Sequence, residues 1–176
     1  MSIAAELARA NDAEIEYYDI RGSSARELRN EMNAKGPVGT RGERVDGHTH
    51  WNTSWKYRYA PSDGGCAFTQ IEVVAEGTIT LPRWTDEANA SGALAQKWRA
   101  FSIALRRHEE GHYAHSLKAA EEIEVLGRTF SVPGSCATIQ QAFKEQSKAI
   151  IDKYRAADAA YDAETRHGKT QGVRFP

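Results

Sequence analysis

With 176 residues, a net charge of −1 and a pI near 6.6, the chain is sized for one domain that buries roughly 70% of its unfolded surface. That charge balance gives no electrostatic case for nucleic acid, and no run approaches the roughly 18 apolar residues of a membrane-spanning helix. The opening "MSIAAELARANDAEIEYYDI" lacks a basic start and an apolar centre, so no signal peptide is legible; the chain is either cytoplasmic or begins after a removed leader.

Residues 14–20, "EIEYYDI", read as a short strand. In the next segment Ser24 can cap a helix with Glu27 at the capping-box position, and Gly36 with Pro37 stops it. A Gly-rich, charged loop over 38–47 leads into "HTHWNTSWKYRYA". There Trp51, Thr53, Trp55, Tyr57 and Tyr59 share one face, while His50, Asn52, Ser54, Lys56 and Arg58 share the other. "PSDGG" turns the chain into "CAFTQIEVVAEGTITLP", which reads as two strands broken near Glu76 and Gly77, so the simplest sheet is an antiparallel meander. Cys66 and Cys136 form an even pair outside any C-x-x-C pattern; they read as a structural disulfide, with two separate buried thiols as the alternative.

From about Trp84 the periodicity turns helical. Leu94, Trp98, Phe101, Leu105, His108, His112 and His115 recur at spacings of four and three on one stripe of a helix running from near Ser91 to Val125 or Leu126. Gly127 is the expected stop and Gly111 a weak point. Ser135 can cap a second helix with the stripe Ile139, Phe143, Ile150, Tyr154, Ala157 and Tyr161, ending at Gly168. The expectation is an α+β fold forming a single domain over 1–176, with its ordered core over about 14–168. An N-terminal antiparallel sheet with one short helix precedes two long antiparallel helices.

His108, Glu109, Glu110, Gly111 and His112 spell H-E-x-x-H on that first long helix. Imidazoles four positions apart lie about 6 Å apart along the axis and reach one zinc ion at about 2.0–2.1 Å, while Glu109 stands beside the metal as general base. Chance alone gives roughly 0.02 such matches in a chain of this composition. The competing reading is a core-facing helix whose histidines merely satisfy hydrogen bonds, which would bury two bare imidazoles at a cost.

A third ligand must come from elsewhere. His115 lies about 10 Å along the axis from His108, too far for comfort, and the positions of His115 and Lys118 exclude the metzincin pattern. Glu121 and Glu122 are trial ligands that read better as a solvated face. The ending "YDAETRHG" offers Tyr161, Asp162 and His167. Straight helices and a tight loop would bring the second helix level with His108 near Tyr154 or Arg155, leaving His167 about 18 Å beyond, so spacing favours Asp158 or Asp162. His167 can serve only if the second helix starts later, crosses at an angle, or breaks before Thr165.

The combination of "LPRW", "RRHEEGHYAH", Cys66 with Cys136, and "YDAETRHG" resembles a bacterial domain-of-unknown-function family described as predicted secreted zinc-dependent proteases of the zincin type. The resemblance runs from about Tyr17 to Gly168. It implies a zincin-like fold, a secreted or periplasmic protein, and His167 as the third zinc ligand, with Asp162 remaining the alternative. The expected activity is a zinc-dependent peptidase in which Glu109 activates water and Tyr161 or Tyr113 supports the oxyanion, with core packing the competing reading of both tyrosines, acting on a peptide or protein substrate. A zinc amidohydrolase acting on cell-wall material and a catalytically silent binding protein are the other readings. His48 and His50 read as a solvated pair.

Overall fold

The computed structural model describes residues 12–39 and 42–176, so the expectations for the first residues and for part of the 38–47 loop lie outside the described chain. The elements are β1 (Glu14–Ile20), α1 (Ala25–Lys35), β2 (His48–Ser62), β3 (Gly65–Trp84), α2 (Gly92–Arg128), β4 (Ser131–Pro133) and α3 (Ile139–Thr165). The result is a mixed α+β fold with a four-stranded sheet and three helices. No helix among the described residues is long and apolar enough to cross a membrane.

The sheet departs from a meander. Its order is β1-β3-β2 with β4 on β3, and β1 runs parallel to β3 from Glu14 opposite Thr78 to Ile20 opposite Trp84. A parallel pair needs a long crossover, which α1, the loop and β2 supply together. The expected break near Glu76 and Gly77 is also absent, because β3 continues unbroken for 20 residues. Gly77 stays in the strand because a Cβ there would come within 2.6 Å of the Tyr113 ring.

The chain forms two compact units, each assembled from separated segments. In the first, from 51–76 and 114–158, Cys66, Ile123, Phe130, Ile139 and Phe143 form the buried core. Phe68 stacks on Tyr57 at 4.5 Å and lies 4.7 Å from Phe143, and Cys66 is disulfide-bonded to Cys136 across 70 positions. β4 pairs with the start of β3, Cys66 opposite Val132. Here α2 and α3 run antiparallel, because Glu122 accepts from Tyr154 and Lys153 whereas His115, earlier on α2, meets Asp158, later on α3.

The second unit comprises 13–50, 77–113 and 159–176. Its core includes Ile20, Leu28, Met32, Ile79, Trp84, Trp98 and Phe101. Ser24 caps α1 as expected, accepting from the Glu27 N–H, but the Glu27 carboxylate takes the N–H of Ser23, one residue earlier than a strict capping box. Order does not stop at Gly168. Val173 is buried, Phe175 packs edge-on to Trp98 at 5.5 Å, and Arg29 donates to the carbonyls of Phe175 and Pro176.

Candidate metal centre

The apolar stripe of α2 carries two imidazoles inward. Trp98, Phe101, Leu105 and His108 are all buried on it, and Gly111 leaves the helix unbroken. Asp162 on α3 places Oδ1 3.2 Å from Nε2 of His108 and 3.2 Å from Nε2 of His112. All three ligand atoms lie within 4.8 Å of one another. Two ligands of a tetrahedral zinc, each about 2.0–2.1 Å from the ion, stand about 3.3 Å apart, so the donor spacing fits the ion that the motif implies. The donor chemistry agrees, since two imidazole nitrogens and one carboxylate oxygen suit a borderline cation.

His167 stands one step away. α3 ends at Thr165, whose hydroxyl bonds back to the Tyr161 carbonyl and accepts from the Gly168 N–H. Arg166 and His167 then adopt left-handed backbone (φ 53° each), followed by Gly168 at φ 74°. This reversal, unfavourable for the two non-glycine residues, brings His167 Nδ1 to 3.4 Å from Asp162 Oδ1. The side chain remains exposed and outside the His108–His112–Asp162 trio. The residue level with His108 is Tyr161, not Tyr154, because β4 and a 3₁₀ turn over Cys136–Thr138 occupy the connection and delay α3. The break just after Thr165 then keeps His167 near the cluster.

Tyr161 stacks on the His108 ring, centroids 5.0 Å apart and planes 16° apart. Its hydroxyl accepts from the Gln171 side-chain amide at 2.9 Å and lies against Gly111, where a Cβ would overlap it. Gln171 Oε1 in turn lies 2.9 Å from His108 Nδ1. Sequence reasoning missed Gln171; the only signal was a short "KTQ" segment between two glycines.

Glu109 is 4% exposed. Thr49, a second residue that sequence reasoning missed, donates its hydroxyl to Oε2 at 2.8 Å and also lies 3.0 Å from the Glu109 carbonyl. Burial lifts the Glu109 carboxyl above its ordinary pKa, and the Thr49 hydrogen bond with nearby His112, His108 and His48 only partly offsets that. Asp162 goes the other way. Its burial also raises the pKa, but hydrogen bonds from His108 and His112, aided by the charge of His112 and His167, hold it well below the usual carboxylate range.

The remaining candidates are accounted for individually. His115 bonds Asp158 at 2.5 Å, and the other Asp158 oxygen accepts from Trp51 Nε1 at 2.6 Å. Glu122 is committed to Lys153 and Tyr154. Tyr113 is buried against Gly77, His48 is half-buried and His50 exposed.

No curated protein and no solved structure matches the chain. Residues 15–168, which include every donor of the cluster and stop three positions short of Gln171, match a bacterial family of proteins of unknown function, DUF922, and the chain belongs to that family.

Proposed function

We propose that this chain is a zinc-dependent peptidase of the zincin type. The observation that carries the reading is the convergence of His108 Nε2 and His112 Nε2 on one Asp162 oxygen at tetrahedral-site spacing, with the buried carboxylate of Glu109 on the same helix. His108, His112 and Asp162 hold the ion. His167 braces Asp162, and becomes a ligand itself only by exchanging with that carboxylate.

Zinc bound there supplies a polarised substrate carbonyl and a water whose pKa falls toward about 7. Glu109, with Oε2 fixed by Thr49, takes a proton from the attacking water and returns it to the leaving amine. Its raised pKa suits both transfers. Tyr161, expected at the oxyanion, has its hydroxyl engaged with Gln171, which favours a role in steadying His108. The Cys66–Cys136 disulfide favours an oxidising compartment, the cell exterior or the periplasm. The substrate in this reading is a peptide or protein, and the same chemistry would serve a cell-wall amide.

Zinc content and hydrolysis of an unstructured protein test the assignment together. About one zinc per chain is expected in wild type and in Glu109→Gln, and loss of zinc in His112→Ala and Asp162→Asn. Glu109→Gln should lower turnover by roughly 10²- to 10⁴-fold. Wild-type protein that takes up no zinc on addition would overturn the reading. Zinc kept by Asp162→Asn and lost by His167→Ala would transfer the third position to His167. A zinc-loaded wild type that cleaves cell-wall amides and no peptide would replace the substrate class.

A further inference from the structure

We propose that Gln171 is the positioning residue that makes His108 a metal ligand, by accepting a hydrogen bond from Nδ1–H and so aiming the Nε2 lone pair at the ion. This rests on the zinc-peptidase reading and reaches beyond the span matched to the family, which ends at Gly168.

A neutral imidazole carries its proton on either nitrogen, and only the Nδ1–H form presents Nε2 to a metal. His108 is 4% exposed, so its Nδ1 is poorly served by solvent and depends on a protein partner. Gln171 Oε1 lies 2.9 Å from that nitrogen. An amide oxygen only accepts, which selects the productive tautomer. The amide is itself held in orientation, since its nitrogen donates to Tyr161 Oη at 2.9 Å while the Tyr161 ring stacks on His108. The imidazole is therefore gripped on its face and on its far nitrogen.

The backbone around Gln171 is built for that placement. Its N–H bonds the Gly168 carbonyl at 2.8 Å, and Val173 N–H bonds the same carbonyl at 3.0 Å. A Cβ at Gly168 would stand 2.9 Å from His108 Cγ, so only glycine lets the turn lie this close to the ring. Farther on, Phe175 against Trp98 and Phe101, and Arg29 on the carbonyls of Phe175 and Pro176, fix the segment that carries Gln171.

The test compares wild type, Gln171→Leu and Gln171→Glu as full chains with the disulfide intact. The readouts are zinc affinity by competition with a chelator and the NMR signal of the His108 Nδ1-bound proton. Gln171→Leu should weaken zinc roughly 10- to 100-fold and lose the slowly exchanging proton. Gln171→Glu, which still accepts, should keep both. Zinc affinity in Gln171→Leu within twofold of wild type would overturn the inference, as would equal weakening in Gln171→Glu, which would mark an effect of tail packing. A wild type that binds no zinc overturns the peptidase reading and this inference together. Tight wild-type binding that is indifferent to residue 171 overturns the inference alone.

Discussion

The two units differ in whether ionisable groups join the hydrocarbon they keep out of water. In the unit of 51–76 and 114–158 the buried positions are hydrocarbon, sulfur and hydroxyl, with Phe143, Ile123, Ile139, Ser116 and Ser147 at 0% exposure and Cys66 bonded to Cys136. In the unit of 13–50, 77–113 and 159–176, His108 and Glu109 are each 4% exposed beside Trp98 and Phe101. The first buries no ionisable side chain among its described residues; the second accepts the cost of dehydrating His108 and Glu109, a cost that the proposed metal chemistry would explain.

Four variants test that contrast, in decreasing order of expected effect. Truncating Phe143 to Ala should lower stability by about 3–5 kcal/mol, on the order of 10 °C in Tm, and replacing both cysteines by Ser should cost about 4 kcal/mol through lost loop closure. Calorimetry checks both, and a loss below about 1 kcal/mol in either would erase the distinction. Gly111→Ala comes next. Alanine would stabilise an ordinary helix interior, but here its methyl overlaps Tyr161, so zinc affinity should fall roughly tenfold by loosening the His108 support. A more stable variant with unchanged affinity would break the proposed coupling between Tyr161 and the metal ligand.

The smallest effect has the opposite sign. Glu109→Gln should stabilise the zinc-free protein by a few degrees near neutral pH although it lowers turnover. Burial raises the folded-state pKa of Glu109, so its contribution is fully present below the unfolded value of 4.5 and is lost as pH rises through the folded one. The Tm gap between variant and wild type should therefore be near zero at low pH and widen toward neutrality. A gap that narrows over that range would contradict the burial argument.

What could be read from sequence depended on whether a signal was local. The stripe Trp98–Phe101–Leu105–His108 and the inward face Trp51–Thr53–Trp55–Tyr57 follow from periods of 3.6 and 2 and are seen, whereas Tyr59, expected on the same face, is exposed. The parallel pairing of β1 with β3 was not legible, because a strand's partner is chosen by the whole fold, and Gly77 looked like a break when it serves a close approach to Tyr113. At the candidate metal centre, H-E-x-x-H pointed directly to His108, His112 and Glu109. Which of Asp162 and His167 lies beside both histidines depends on the length of the α2–α3 connection, which contains β4. Thr49 and Gln171 carry no chemical signature of their own and become visible only through what they touch.

The reversal at Arg166, His167 and Gly168 also bears on how this protein can vary. Between Asp162, which faces the histidines directly, and Gln171, which faces His108 from behind, the chain makes one turn about a single imidazole. Each residue inserted there displaces the downstream chain by up to about 3.5 Å, more than a hydrogen bond tolerates. Exposed side chains such as Glu164 and Lys169 can be exchanged freely, yet the count of residues between Asp162 and Gln171 cannot. That stretch acts as a ruler: strict in length, it should reject insertions and deletions even where, as at Glu164 and Lys169, it accepts other side chains.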